Sequence, residues 1–169
     1  MRLNVGSGED LKPGYINCDL FYPADVKCDA LRLPFRDNSV DEIFSSHMLE
    51  HFDFLEAFVF LHECFRVLKT NGKLSIETPD FLNNCKAFVE ADEQTRINLY
   101  NHFFACPWIA GQTHKFLYTE NQLSDSLSKC GFKNIKRIKP DSKYVGGWFP
   151  DELYLKMEGT KQQSNNIEF

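Results

Sequence analysis

Residues 2–8 read RLNVGSG, a short apolar run that leads straight into a glycine-rich turn. Glycines at the end of a strand let a ligand approach the backbone closely, because they lack a Cβ atom. In an open parallel sheet the ligand crevice lies at the carboxyl ends of the strands. The stretch therefore predicts a first strand that ends at a binding edge.

An acid follows where a nucleoside ligand would present its ribose. Asp19 lies eleven residues after Gly8, at the end of a second apolar stretch over 15–18. A carboxylate at that place can accept hydrogen bonds from two ribose hydroxyls. A dinucleotide fingerprint instead needs a third glycine where this chain has Leu11, and an acid about twenty residues onward. The spacing therefore disfavours NAD.

Size and composition predict one globular domain. The chain has 169 residues, of which 43% are hydrophobic and 14% aromatic, enough for a packed core. A formal net charge of −5 provides no broad positive field, so nucleic acid is not an expected partner. We expect residues 1–159 to form the domain and the polar residues 160–169 to be a disordered tail.

The cysteines and the hydropathy bear on the compartment. Six cysteines occur without any C-x-x-C spacing, so we expect reduced, buried thiols in an intracellular protein. The chain shows neither a signal-peptide pattern nor a run of about 18 apolar residues. The expected location is the cytoplasm, with no membrane as a partner.

Capping residues and periodicity predict the elements that follow the turn. Asp53 and Glu56 form a capping box at the start of a helix that Asn71 and Gly72 are expected to end. Thr119 is expected to cap the start of a later helix. The order of elements predicts an α/β fold with an open, mostly parallel twisted sheet. Strands are predicted over 40–46, 73–78, 132–138 and 152–157, and helical stretches over 81–104 and 120–129.

The first connections are too short for ordinary crossover helices. Residues 8–15 and 20–25 leave room only for a turn or a loop. The front half of the sheet therefore has abbreviated helices and is under-covered on one face, whereas parallel sheets are normally buried on both. Long loops, a homodimer or a partner subunit would cover that face.

Six motifs follow one another in order within residues 2–80. As a set they resemble the class I S-adenosylmethionine-dependent methyltransferases, and among these the short methyltransferase type 11 proteins. The resemblance implies a Rossmann-like methyltransferase fold, S-adenosylmethionine as cofactor, and a small-molecule acceptor such as a sugar or another metabolite. The motifs are LNVGSG at 3–8, PGYINCD at 13–19, DALRLPF at 29–35, DNSVDEI at 37–43, SHMLEH at 46–51 and RVLKTNGKL at 66–74.

The resemblance also implies a role for the matching positions. Residues 6–8 would lie against the methionine part of the cofactor, and Asp19 would hold the ribose. Residues 29–30 would sit at the adenine, and residues 46–47 would close the site from the fourth strand. Asn4 stands where the family has an acid before its glycines. The implied cofactor-binding positions are Gly6, Ser7, Gly8, Asp19, Leu20, Asp29, Ala30, Leu31, Ser46 and His47.

One motif has a second interpretation. His47, Glu50 and His51 spell the H-x-x-E-H of inverted zinc peptidases. That motif needs a helix and a third protein ligand, whereas Asp53 supplies the better helix start, so we expect no metal. Zinc hydrolysis stays a distant alternative. Without a metal, the histidines would hold the loop through hydrogen bonds or take part in the chemistry.

A base would help a hydroxyl acceptor lose its proton. The sequence does not rank the candidates, which are His47, His51, His114 and Asp80. Aromatic residues late in the chain would wall an acceptor pocket or form a satellite core. The five basic residues between 133 and 143 are expected to lie on a solvated strand edge. The late aromatic residues are Phe103, Phe104, Trp108, Trp148 and Phe149.

A second class of function competes with catalysis. The chain could be a non-catalytic methyltransferase-like subunit that acts through a partner. The short front half and Asn4 favour this hypothesis, whereas Asp19, Asp29 and residues 46–47 favour an enzyme.

Overall fold

The computed structural model describes residues 1–105, 111–140 and 150–162, which include seven strands in one sheet. The strands are β1 (Arg2–Val5), β2 (Ile16–Asp19), β3 (Val26–Lys27), β4 (Val40–Ser46), β5 (Leu68–Pro79), β6 (Phe132–Ile138) and β7 (Tyr154–Lys161). Their order across the sheet is β3-β2-β1-β4-β5-β7-β6. Strands β1 to β5 pair in parallel, and β7 runs antiparallel to both of its neighbours. The predicted open, mostly parallel α/β sheet is confirmed.

The front half of the sheet, β1 to β4, is connected almost without helices. Apart from β2 and β3, residues 6–39 hold only one 3-10 turn, Ala30–Arg32. The short crossovers expected from the sequence are therefore present. Large apolar side chains of this half remain at the surface, namely Leu11, Leu20 and Phe21.

Helix α1 (Phe54–Val67) makes the crossover from β4 to β5. The Asp53 carboxylate accepts hydrogen bonds from the backbone N–H groups of Leu55 and Glu56, each at 2.9 Å. The Glu56 carboxylate accepts the Asp53 N–H at 2.9 Å, which confirms the predicted capping box. The helix buries one face against the sheet, formed by Ala57, Phe60, Leu61, Cys64 and Val67.

The end of α1 differs from the prediction. The helix stops at Val67 and β5 begins at the next residue, so Asn71 and Gly72 lie inside β5. The pairing of β4 with β5 shifts register between Val40 and Glu42, and the extra residues of β5 form a bulge. Asn71 has a φ of +64° there. The turn-type pair therefore marks a bulge in a strand and not the end of a helix.

Three more helices occur in the described residues: α2 (Phe81–Glu90), α3 (Glu93–Phe104) and α4 (Glu120–Lys129). The stretch predicted as helical over 81–104 is two helices, because the Asp92 carboxylate accepts the Thr95 N–H at 2.8 Å and starts α3. Thr119 caps α4 as predicted, and Gln122 completes a capping box. No helix among these residues is long and apolar enough to cross a bilayer.

The last strand is longer than the sequence indicated. Residues 151–153 form a 3-10 turn, and β7 continues through Thr160 and Lys161, which were expected in the tail. Lys161 Nζ donates to the backbone carbonyls of Phe65 and Leu68 at 2.7 and 2.8 Å. It thereby satisfies carbonyl groups at the C-terminal end of α1. Residues 163–169 lie outside the described residues.

Two surface and core predictions can be checked directly. Cys18, Cys64 and Cys130 are buried free thiols, while Cys28 and Cys85 are half-buried and also unpaired. Cys106 lies outside the described residues. The basic residues of β6 are exposed, and β6 pairs with β7 alone within the described part of the chain, which confirms a solvated edge. Lys143 falls outside that part.

Candidate functional site

A cleft of about 410 Å³ opens at the carboxyl ends of the first parallel strands, the edge at which the sequence predicts a ligand. Two predicted positions, Ser7 and Ser46, do not line it, although the hydroxyl oxygens of both are buried and have no hydrogen-bond partner in the described part of the chain. The other predicted cofactor-binding residues all line the cleft: Gly6, Gly8, Asp19, Leu20, Asp29, Ala30, Leu31 and His47.

The glycine turn after β1 has left-handed backbone conformations, which are unfavourable for most residues other than glycine. Gly6 and Gly8 have φ values of +71° and +52°. The backbone N–H groups of Gly6 and Ser7 donate to the Cys18 carbonyl at 2.9 and 3.1 Å, which ties the turn to β2. A Cβ atom at Gly6 would lie 2.5 Å from Met48 Sδ, whereas one at Gly8 would meet no atom of the described residues within 4 Å. Gly6 is therefore needed for packing, and Gly8 borders open space.

Asp19 lies at the end of β2 and is only 8% exposed. One carboxylate oxygen accepts the Gly8 N–H at 2.8 Å. The other accepts the N–H groups of Phe21 and Tyr22 at 2.8 and 2.9 Å. A carboxylate has about four acceptor positions, so about one remains for a ligand. Asp19 thus fixes the loops on both sides of the cleft and keeps acceptor capacity there.

Asn4, which replaces the family's acid, has a structural role in this chain. Its side-chain amide donates to Asn17 Oδ1 at 2.9 Å and to the Asp10 carbonyl at 3.2 Å. Asn17 Oδ1 also accepts the Lys12 N–H at 2.8 Å. Neutral amides therefore hold the glycine loop at the position where the resembled family has an acid, and Asn4 does not disrupt the turn.

The far wall of the cleft includes residues that sequence reasoning missed. Phe21 packs on Gly111, where an added Cβ would lie 3.0 Å from the Phe21 ring. Gln112, Thr113 and Lys115 also line the cleft. The sequence signal for this wall is the irregular, aromatic stretch around position 114, which no motif covers. Met48 and Phe52 complete the lining after β4.

The end of β4 holds a buried acid–imidazole pair. Glu50 is fully buried, and its Oε1 lies 3.0 Å from His47 Nδ1, while its Oε2 accepts the Thr78 hydroxyl at 3.0 Å. Burial alone would raise the pKa of Glu50, but the hydrogen bond and charge of His47 outweigh it and lower that pKa to about 2. Burial opposes the charged form of His47 too, yet Glu50 raises the pKa of His47 above its usual value. His47 Nε2 is buried, and none of the residues in 1–105, 111–140 and 150–162 forms a hydrogen bond with it.

Two more histidines stand beside Glu50. The rings of His51 and His114 have centroids 4.9 Å apart, and His114 Nε2 lies 3.9 Å from Glu50 Oε1. His51 Nδ1 donates to the Thr113 carbonyl at 3.2 Å, and His114 Nδ1 donates to the His102 carbonyl at 3.0 Å. Burial is the largest influence on His114 and lowers its pKa, which favours the neutral ring. Three of the four candidate bases therefore meet around one carboxylate.

The fourth candidate base, Asp80, does not line the cleft. Its carboxylate accepts the Asn83 N–H at 3.1 Å as the cap of α2 and lies 2.9 Å from Arg137 Nη1. Asp80 therefore has a structural explanation that needs no chemistry.

The late aromatic residues also lie away from the cleft where the structure describes them. Phe103 packs edge-on against Phe88 with ring centroids 5.8 Å apart, and Phe104 stacks on Tyr100 at 6.1 Å. These rings form a satellite cluster around α3, in agreement with the satellite-core interpretation. Trp108, Trp148 and Phe149 lie outside the described residues.

Comparison with known proteins identifies relatives of this fold. A family model described as a methyltransferase domain matches residues 7–76. A methyltransferase from Methanosarcina mazei has a TM-score of 0.64 at 18% identity, over 95% of this chain and 92% of the other. A Haloferax volcanii methyltransferase, solved with the activator Trm112, has a TM-score of 0.59 at 15% identity, over 96% and 82%. None of the curated protein sequences matches.

A larger enzyme shares the same fold. Phosphoethanolamine N-methyltransferase 2 from Haemonchus contortus, solved with phosphomonomethylethanolamine and S-adenosylhomocysteine, has a TM-score of 0.59 at 15% identity. The match covers 96% of this chain but 48% of the nematode enzyme, so the chain spans about half of that protein. At such identities the likeness concerns the fold.

Proposed function

We propose that this chain is a class I S-adenosylmethionine-dependent methyltransferase, which binds S-adenosylmethionine in its cleft and transfers the methyl group to a small molecule. The observation that carries the proposal is the meeting of Gly6, Gly8 and Asp19 at one cleft, at the carboxyl ends of β1 and β2. Solved relatives of the same fold hold S-adenosylmethionine or S-adenosylhomocysteine. The order of strands and the matched family model support the same cofactor.

The residues present fit that cofactor. The space beside Gly8 that a Cβ would enter is available for the methionine part, and the unpartnered Ser7 hydroxyl lies in the same turn. The remaining acceptor position of Asp19 suits a ribose hydroxyl. On the β3 side, Asp29 accepts the Leu31 N–H at 2.9 Å and so fixes the short turn that we assign to the adenine.

The chemistry requires little covalent participation from the protein. When bound, the cofactor supplies a methyl group on a sulfonium, which is already activated for transfer. The chain must hold the acceptor in line with that methyl group, and such positioning can contribute about 7–11 kcal/mol. For a hydroxyl acceptor, such as one on a sugar, we assign the proton-accepting role to the group of His47, His51 and His114. His47 Nε2 is suited to a polar ligand atom because no described residue is its hydrogen-bond partner.

The alternative of a non-catalytic subunit loses one of its arguments. Asn4 was one of its two supports, beside the short front half, and the hydrogen bonds of Asn4 give that residue a structural purpose. A partner or a second copy remains our prediction for the exposed apolar front half. Light scattering on the purified chain, with and without cofactor, measures whether it self-associates.

Titration calorimetry with S-adenosylmethionine and S-adenosylhomocysteine tests the proposal. Asp19→Asn is expected to weaken binding by about 10–100-fold, because a hydrogen bond to a charged group contributes about 1.5–3 kcal/mol. Gly8→Val is expected to abolish binding, because its side chain enters the open space in the turn. Glu9→Gln is the matched control, since Glu9 is exposed in the same loop and does not line the cleft.

Two results would contradict the proposal. The first is that the folded wild-type chain binds neither compound. The second is that both compounds bind, but Gly8→Val and Asp19→Asn bind them as tightly as Glu9→Gln. If binding holds, release of S-adenosylhomocysteine from a panel of sugars and small metabolites identifies the acceptor class.

A further inference from the structure

Two residues of the H-x-x-E-H motif, Glu50 and His51, meet a histidine from outside the motif, His114. The zinc-peptidase interpretation of the motif does not include this third residue. One ligand atom from each of Glu50, His51 and His114 lies within 4.8 Å of the others. His114 follows His51 by 63 residues in the sequence and reaches it through the loop after α3. We propose that these three side chains bind a divalent transition-metal ion, preferably zinc, beside the β4 end of the cleft, where His51 is the one of the three that lines it.

The orientation of the histidines supports the assignment. Both rings donate their Nδ1–H to backbone carbonyls, His51 to Thr113 and His114 to His102. In each ring the lone pair is thereby left on Nε2. Metal-binding histidines are characteristically oriented in this way, with the second nitrogen donating to a carbonyl or a carboxylate. The backbone thus fixes the tautomer that a metal requires before any metal binds.

The carboxylate is held by groups around it. His47 and Thr78 each contact one oxygen of Glu50 at 3.0 Å, so the side chain has a fixed position. Ligating carboxylates are themselves commonly hydrogen-bonded in this manner. In this arrangement His47 orients Glu50 and is not a ligand. The site therefore differs from the zinc-peptidase pattern, in which both histidines of the motif bind the metal.

The distances and the donor set suit zinc. Bonds of about 2.0–2.2 Å place zinc ligands roughly 3–4 Å apart, so the observed separations need to close by about 1 Å. His114 Nε2 already lies 3.9 Å from Glu50 Oε1. Two imidazoles with one carboxylate are the ligands of catalytic zinc sites that keep an open coordination position. Magnesium and calcium prefer oxygen ligands and are disfavoured here.

The location suggests which molecule would use the open position. His51 lines the cleft at the opposite end from the Asp29 turn, since β3 and β4 are separated by β2 and β1 in the sheet. This step rests on the proposed function. The ion would bind an oxygen donor of the acceptor, such as a hydroxyl or carboxylate, next to the cofactor, and in that form His51 and His114 would be ligands and not proton acceptors. Acceptors with two neighbouring oxygen donors would then be favoured over purely apolar ones.

Metal titration of the full chain tests the inference without relying on activity. Protein treated with EDTA and dialysed is titrated with Zn²⁺ against a chromophoric chelator, and with Co²⁺ while its visible absorption is followed. We expect one ion per chain in the wild type. His51→Ala and His114→Ala should each weaken binding by more than about 100-fold, beyond what loss of an outer-shell partner costs. His62→Ala is the matched control, because His62 is an exposed histidine on α1.

The outcomes separate this inference from the proposed function. Glu50→Gln removes the third ligand, at a buried position. His51 is half-exposed, so His51→Ala keeps the test valid if the Glu50→Gln variant does not fold. Absence of stoichiometric binding in the wild type overturns the site. So does an equal loss of affinity in the His62 control. If S-adenosylhomocysteine binds the EDTA-treated protein but zinc does not bind, only the metal site is refuted. Zinc binding without cofactor binding supports the site and refutes the function proposed above.

Discussion

The contact between Gly6 and Met48 gives a stability prediction that can be worked out from the structure. Gly6→Ala places a Cβ atom 2.5–2.8 Å from three atoms of the Met48 side chain, in a backbone with φ of +71°. The left-handed conformation costs a non-glycine residue about 1–2 kcal/mol. Overpacking a filled site costs about 1–3 kcal/mol more. We therefore expect Gly6→Ala to lower the free energy of unfolding by about 2–5 kcal/mol.

Gly8 provides the matched control two residues away. Its φ is also positive, at +52°, but a Cβ there meets nothing within 4 Å. Gly8→Ala should therefore lose only the conformational part, about 1–2 kcal/mol. The difference between the two variants isolates the overlap with Met48.

Denaturant unfolding of Gly6→Ala, Met48→Ala and the double variant measures the overlap directly. Met48→Ala removes the two closest contacts, Sδ and Cγ, and leaves the Cβ atom at 2.8 Å. It therefore relieves only part of the clash, and the double variant should be more stable than the sum of the single changes predicts, by up to about 1–3 kcal/mol. Equal destabilisation by Gly6→Ala and Gly8→Ala would refute the reasoning. An additive double variant would refute it as well.

Three further predictions concern the packing around α1, and each is read from unfolding free energies. Phe60→Ala is expected to cost about 3–5 kcal/mol because Phe60 is fully buried, whereas Leu55→Ala, at a side chain 74% exposed, should change stability by less than about 0.5 kcal/mol; equal effects would contradict the packing. Asp53→Ala removes the capping box and should cost about 1 kcal/mol, so an unchanged midpoint would argue against the cap. Arg66→Lys should cost about 1–3 kcal/mol, because one ammonium cannot replace a guanidinium that donates to two backbone carbonyls as well as to carboxylates; a neutral result would show that those bonds are dispensable.

Local signals in the sequence were sufficient for most elements of the fold. The Asp53 and Thr119 caps and the strands over 40–46 and 132–138 were predicted with the bounds that the structure has. The position of Asn71 and Gly72 was misjudged, since the same two residues suit a helix C-cap and a β-bulge. The choice between them depends on the register of β4 against β5, which is a long-range pairing.

In the candidate site too, residues placed by local spacing could be predicted and residues placed by long-range contacts could not. Positions close to β1 and β2, such as Gly8 and Asp19, were predictable because their spacing along the chain reflects adjacent strands. The meeting of His51 with His114 was not predictable, because it depends on how the loop after α3 returns to β4. Asp80 was a reasonable candidate by residue type, but the neighbouring Arg137 and the cap of α2 account for it.

The insertion of β7 between β5 and β6 has a consequence for the nascent chain. During synthesis β6 ends at Ile138, but the strand that it pairs with in the described structure begins only at Tyr154. Until the residues of β7 leave the ribosome, the edge of β5 that pairs with β7 and the backbone of β6 present unpaired N–H and C=O groups, which favour aggregation. Among the residues that the structure describes, those that line the cleft all precede β6 in the chain. The ribosome therefore delivers the described lining of the cleft before β7, and products truncated before β7 carry that lining on a sheet whose β5 edge is exposed.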